Sequence, residues 1–122
     1  MDAYTSHLAD WMTGLGDRLI VRVADADGSL VGMAWMVVVE RVPNFDNRRR
    51  LDGDLQSVYV TAAYRKRGVG RSLIQSMCDY ADEIGIARIV VAANQASRPT
   101  YSGVGFEASA LLLQRLAPES SR

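Results

Sequence analysis

Apolar positions follow two rhythms along the chain. Leu19 to Ala24 reads LIVRVA, and after the turn signal Asp25-Ala26-Asp27-Gly28 the stretch Leu30 to Val42 reads LVGMAWMVVVERV. Both runs are rich in β-branched residues, and the Asp/Gly turn between them predicts a hairpin. Pro43 to Asp54, PNFDNRRRLDGD, carries Pro, Gly, Asn and alternating charge without periodicity, which predicts a loop. Leu55 to Val60, LQSVYV, resumes strand character, and Thr61 to Arg67 is a polar turn. From Gly68 the rhythm changes. Val69, Leu73, Ile74, Met77, Tyr80, Ala81 and Ile84 recur at helical spacing and draw one apolar stripe, with Gly85 standing where the helix would stop. Arg88 to Ala93, RIVVAA, is an apolar run of strand length, a short helix is expected from Ser97 to Ser102 with Ser97 as N-cap, and Phe106 to Leu116 reads as a last pair of short strands. A helix from Tyr4 to Thr13 fits ahead of the first strand, and Pro118 to Arg122 reads as a frayed tail.

These elements define an α/β fold. The strand, helix and strand around Gly68 to Gly85 imply parallel neighbours joined by a crossover helix, while the hairpin is antiparallel, so the expected sheet is mixed, of about six strands flanked by helices. At 122 residues, 1–122 forms one domain, able to bury about two thirds of its unfolded surface.

Composition narrows the chemistry. With one cysteine, Cys78, and one histidine, His7, the chain has no internal disulfide and no material for a Cys/His metal cluster or a Ser-His-Asp triad, so no metal is expected. The absence of a long apolar run or a basic leader makes the expected location cytoplasmic, with no membrane partner. Fourteen basic residues balance fourteen acidic ones, which argues against nucleic acid as a partner. Locally the balance fails, because no acid lies between Leu55 and Cys78 while Arg65, Lys66, Arg67 and Arg71 cluster there.

That cluster opens the main helix as Arg65-Lys66-Arg67-Gly68-Val69-Gly70-Arg71-Ser72. The first turn of a helix has N–H groups without intrahelical partners and the positive end of the macrodipole, so it favours an anion, and glycine lets a phosphate approach the amides. A P-loop is excluded because the lysine precedes both glycines, and a dinucleotide fingerprint is excluded by Leu73 at the third small position and the apolar strand in place of the distal acid.

R-K-R-G-V-G resembles the [Q/R]-x-x-G-x-[G/A] motif of the GNAT superfamily of N-acetyltransferases, and Asn94, Ser97, Tyr101, Gly105 and Phe106 are similar to that family's N-x-x-A-x-x-x-Y-x-x-x-G-F, with serine replacing alanine. The resemblance covers roughly Leu19 to Leu116. It implies an acetyl-CoA cosubstrate and direct transfer of its acetyl group to a small-molecule or peptide primary amine. By the same resemblance Arg65, Lys66, Arg67, Gly68, Val69, Gly70, Arg71 and Ser72 hold the pyrophosphate, Val58, Tyr59 and Val60 pair with the pantetheine arm, and Asn94 makes a polar contact to it. Tyr101 matches the acid that protonates the leaving thiolate, and an N–H near Val60 polarises the thioester carbonyl.

Each assignment has a plainer counterpart: a core strand, a turn-forming asparagine, a tyrosine that fills the core. Glu40, Asp52 and Asp54 are candidate bases and none is assigned. Trp35 and Met36 read as core, Trp11 and Tyr4 as pocket or helix packing, Cys78 as an inert thiol, and Arg48 to Arg50 as a solvated loop. Only about 18 residues precede Leu19, so the family's first strand and helix are expected to be missing. A sheet without its first strand exposes an edge, which leads to the expectation of a homodimer. The alternative function is a non-catalytic acyl-CoA-binding or regulatory module.

Overall fold

A computed structural model describes residues 2–118. The order is α1 (Ala3–Leu15), a 3-10 turn (Gly16–Arg18), β1 (Leu19–Ala26), β2 (Ser29–Arg41), β3 (Arg50–Val60), a 3-10 turn (Ala62–Tyr64), α2 (Val69–Ile84), β4 (Arg88–Val91) and α3 (Arg98–Ser102). The strands lie in the order β1-β2-β3-β4. The first two pairings are antiparallel and β3 to β4 is parallel.

α2 packs its stripe on one face of this sheet. Leu73, Ile74, Met77 and Ala81 meet Ile20, Ala34, Met36, Val38, Leu51 and Leu55, with Ile86 closing the cluster. Met36, Ile74 and Met77 are fully buried, each contributing about 1.5–3 kcal/mol by removal from water. Gly85, at φ 83°, ends the helix, and the Ile86 N–H returns to the Ala81 carbonyl at 3.0 Å, so the turn that satisfies the last carbonyls also delivers Ile86 to the core. Gly32 sets the approach of α2 to β2. A Cβ there would lie 3.1 Å from Leu73 Cδ1 and 3.2 Å from both Val69 Cγ1 and the Tyr59 carbonyl.

The opposite face receives α1. Asp2 caps that helix by accepting the Thr5 N–H at 2.7 Å, which holds its carboxyl below the usual range. Trp11 of α1 stacks on Trp35 of β2, ring centroids 5.9 Å apart and 11° from parallel. The helix expected over Tyr4 to Thr13 is therefore present and slightly longer.

Four expectations are corrected. The sheet has four strands among the described residues, not about six. Phe106 to Leu116 forms no strand: its leucines find no sheet partner, and Leu111 and Leu113 are 88% and 97% exposed. The loop expected from Pro43 to Asp54 ends early, because β3 starts at Arg50 and pairs with β2 from Arg41↔Arg50 onward. Its charges mimic a loop in sequence, yet Asp52 is buried and neutralised by Arg88 Nη2 at 2.6 Å, with Arg41 Nε at 3.8 Å. β4 also ends at Val91, short of the expected Ala93. Of the tail, residues 119–122 lie outside the described residues.

Candidate active site

The site begins where two parallel strands separate. β3 and β4 pair over Asp52↔Arg88, Gly53↔Ile89, Asp54↔Val90 and Leu55↔Val91, and then stop. On the other side of β3 the register with β2 jumps from Met36↔Leu55 to Trp35↔Ser57, so Gln56 is an extra residue, a β-bulge. A bulge bends its strand and raises the local twist. β3 accordingly continues to Val60 alongside β2 but without β4, leaving main-chain groups between Gln56 and Val60 open toward the gap. Val58 and Val60 are half-buried there and Tyr59 is exposed. One acceptor is already used: the Val60 carbonyl takes the Arg65 Nε–H at 2.8 Å.

The chain then turns through Arg65 to Gly68 into α2. Lys66 (φ 62°) and Gly68 (φ 83°) both adopt left-handed backbone, and the lysine does so against its steric preference, which marks a constrained turn. The Ser72 N–H donates to the Gly68 carbonyl at 3.0 Å, whereas the amides of Val69, Gly70 and Arg71 have no backbone acceptor among the described residues. A Cβ on Gly70 would meet only Val60 Cγ2, at 3.7 Å, so nothing within the protein requires glycine at that position.

The basic side chains divide their work. Arg65 lies over the Tyr59 ring at 5.6 Å and Arg67 over Tyr64 at 5.1 Å. Arg71 Nη2 donates to the Gly103 carbonyl at 3.0 Å and so ties the start of α2 to the end of α3. Among the described residues no carboxylate forms an ion pair with Arg65, Lys66, Arg67 or Arg71, so the mouth of the gap keeps its positive charge. Ser72 is exposed beside Arg67 and Gly68, lining a groove of about 300 Å³ against β1.

Tyr101, on α3, packs edge-on against Phe106 with centroids 5.4 Å apart and joins the rim of the core. Together with Arg88 to Val91 and Ala93 it lines an open cleft of about 470 Å³ at the outer edge of β4, next to the point where β4 leaves β3. Burial pushes the phenol above its ordinary value, and its hydroxyl has no hydrogen-bond partner among the described residues.

Asn94 has a local duty. Its Oδ1 accepts the Ser97 N–H at 2.9 Å and its carbonyl accepts from Arg98 N at 3.1 Å, building the turn into α3. Ser97 is the N-cap residue but makes no side-chain cap, which Asn94 supplies instead. The plainer reading of Asn94 describes what its oxygen does here. Cys78 is half-buried and its thiol is pushed up by burial, then by Asp82 and Asp79, which makes it a poor nucleophile.

Sequence reasoning missed the Gln56 bulge, the Arg71–Gly103 tie and the Asp52–Arg88 pair. The last had a signal in the alternation of Leu51, Gly53 and Leu55, which puts Asp52 on a strand. The other two join residues far apart in sequence and had none. Among the described residues there is no group of three metal-ligating side chains, and no helix is long and apolar enough to cross a membrane.

A sheet that opens at a bulge, followed by a glycine-opened helix with free amides, defines a fold class that comparison with known proteins identifies. The model of the acetyltransferase (GNAT) family matches residues 1–106, and the chain belongs to that family. It is 30% identical over 103 residues to glucosamine 6-phosphate N-acetyltransferase of Trypanosoma brucei brucei, covering 84% of this chain and 68% of that protein. It is 31% identical over 84 residues to the N-alpha-acetyltransferase RimI of Mycobacterium tuberculosis, covering 69% of this chain and 49% of the relative. A protein from Clostridium acetobutylicum described as a predicted acetyltransferase, solved with acetyl-CoA, superposes with a TM-score of 0.79 at 18% identity over 94% of this chain and 76% of that one. Its fold is therefore the α/β fold of the GNAT acetyltransferases, carried here on a four-stranded mixed sheet.

Proposed function

We propose that the protein is an acetyl-CoA-dependent N-acetyltransferase that moves the acetyl group directly to a primary amine. The observation that carries the reading is continuous geometry. The strand that loses its neighbour after Leu55 runs into the helix whose Val69, Gly70 and Arg71 amides are unpaired, so one elongated anionic, amide-bearing cofactor can satisfy both at once. In this reading Val58 and Tyr59 offer main-chain groups to the pantetheine arm, and the amides of Val69 to Arg71 receive the pyrophosphate. Lys66 and Arg67 add charge at the mouth, while Arg65 and Arg71 hold the loop in shape. Gly70, which the protein's own packing does not require, leaves room for the phosphate.

The chemistry follows from that placement. An N–H of the segment after Leu55 stabilises the oxyanion as the amine nitrogen adds to the thioester carbonyl. The amine enters neutral, and as the adduct collapses and the C–S bond breaks its nitrogen passes a proton to solvent water, while Tyr101 protonates the leaving thiolate and regains its own proton from solvent. No metal takes part in this scheme. The relatives named as a glucosamine 6-phosphate N-acetyltransferase and an N-alpha-acetyltransferase support an amine as acceptor. A homodimer is the proposed assembly, since β1 and β4 each present an unpaired outer edge among the described residues.

Release of free thiol from acetyl-CoA across a panel of amines tests the activity. Amine-dependent thiol release is the expected result. Tight acetyl-CoA binding with no turnover on any amine would replace this reading with that of a non-catalytic acyl-CoA-binding module.

A further inference from the structure

The end of the sheet away from the gap carries two features that cofactor binding leaves unused. The first is the loop between β2 and β3, which its own hydrogen bonds hold in shape. The Asn44 N–H donates to the Asn47 carbonyl at 2.7 Å and the Arg49 N–H to Asn47 Oδ1 at 3.1 Å, while Arg50 Nη1 donates to the Val42 carbonyl at 2.9 Å and to Asn44 Oδ1 at 3.2 Å. What this loop presents is apolar and basic. Phe45 is 93% exposed and Val42 80%, and Arg48 and Arg49 stand exposed with no ion-pair partner among the described residues. Removing such a ring from water is worth about 1.5–3 kcal/mol, which the single folded chain forgoes.

The second feature is the flank of α2 that faces β1. Asp79 and Glu83 are exposed there and, with Arg22, Ser76 and Tyr80, line an open groove of about 420 Å³. Neither carboxylate has an ion-pair partner among the described residues, and the last turn of α2 holds no basic residue, so Glu83 faces the negative end of the helix dipole uncompensated. Arg22 does not relieve them. Its guanidinium lies over the Tyr80 ring at 4.6 Å and donates to Ser76 Oγ and to the Val21 carbonyl, each at 3.2 Å. Loop and acids share one end of the molecule, because Gly85 ends α2 and the Ala87 N–H then donates to the Leu51 carbonyl at 3.0 Å, beside the start of β3.

We propose that the Phe45 loop of one copy docks in the α2–β1 groove of a second copy, with Arg48 and Arg49 facing Asp79 and Glu83 and Phe45 lying against Tyr80. Charge selects this occupant, since exposed arginines without partners meet exposed carboxylates without partners, and a preformed loop loses little freedom on docking. Because both features lie at one end, a two-fold axis makes the contact reciprocal, each copy giving a loop and receiving one, which closes the assembly at two. The inference rests on the proposed homodimer and supplies its surface. A dimer paired through the β1 or β4 edge would be indifferent to these charges.

Sedimentation equilibrium of the full-length protein over a concentration series, at low and high salt, reads the association. Wild type is expected to form a dimer that weakens as salt is added. Arg48→Glu with Arg49→Glu, and separately Asp79→Lys with Glu83→Lys, should each weaken dimerisation at least about tenfold, since attraction becomes repulsion at both reciprocal contacts. Mixing the two variants should restore a dimer, because loop glutamates then meet groove lysines and loop arginines meet intact acids. Phe45→Ser, at a position the fold does not bury, should weaken dimerisation about tenfold with an unchanged melting temperature. A wild-type dimer that neither reversal weakens, or variants that stay monomeric when mixed, would overturn the docking and leave an edge-paired dimer standing. Wild type that is monomeric at every concentration would remove both, and the thiol-release assay reads the transferase function separately.

Discussion

Gly70 separates what the fold needs from what a ligand needs. It is the second residue of α2, after the Gly68 cap, and a Cβ built on it touches only Val60 Cγ2 at 3.7 Å, an ordinary contact. Gly70→Ala should therefore fold at least as well as wild type, gaining up to about 1 kcal/mol from helix propensity. Gly70→Phe should also fold, but its ring would project over the amides of Val69, Gly70 and Arg71 that have no backbone acceptor. If a phosphate loses two such amides at about 1.5 kcal/mol each, the loss is about 3 kcal/mol, or roughly a 150-fold weaker Kd. Calorimetry with CoA, alongside urea unfolding of all three proteins, measures both quantities. A folded Gly70→Phe variant that binds CoA within about threefold of wild type would refute the cradle, since that change corresponds to less than about 1 kcal/mol. Loss of stability in Gly70→Ala would refute the packing argument instead.

Tyr101→Phe keeps the ring against Phe106 and deletes the proton donor, so kcat should fall about 100-fold with little change in KM or in the unfolding midpoint, and steady-state kinetics reads all three outcomes with a melt. Burial raises the phenol above its ordinary value, so the acid stays protonated through the ordinary tyrosine range and the wild-type rate should hold across it. Above it the unfolded chain releases a proton that the folded chain retains, so this group's contribution to stability is lost as pH rises through the raised value. Light scattering should return a mass about twice 13.4 kDa for the proposed dimer, and a monomer at every concentration would remove it.

Helix α2 was fully legible in the sequence, because an amphipathic stripe between two glycines depends only on local spacing and on the backbone freedom of Gly68 and Gly85. The β1–β2 hairpin was legible for the same reason, its turn residues and β-branched runs being local signals. The turn proposed to hold the phosphate could be located by the combination of glycines, basic residues and a helix start, all within eight consecutive residues. Nonlocal pairing was invisible. Arg50 to Asp54 read as loop because charge normally means solvent, and it became strand only when Arg88, 36 residues away, neutralised Asp52. Phe106 to Leu116 read as strand because apolar residues favour a sheet, yet a strand exists only where another offers its ladder. The parting of β3 from β4 at Leu55 and the bulge at Gln56 both depend on the register between three chain segments. By itself the sequence determined the hairpin, helix α2 and the glycine-opened turn before it, where a few neighbouring residues carry the physics. The tertiary structure alone decided where the sheet opens and which carboxylate is ion-paired among the described residues, because register and ion pairing are set by partners that become neighbours only after folding.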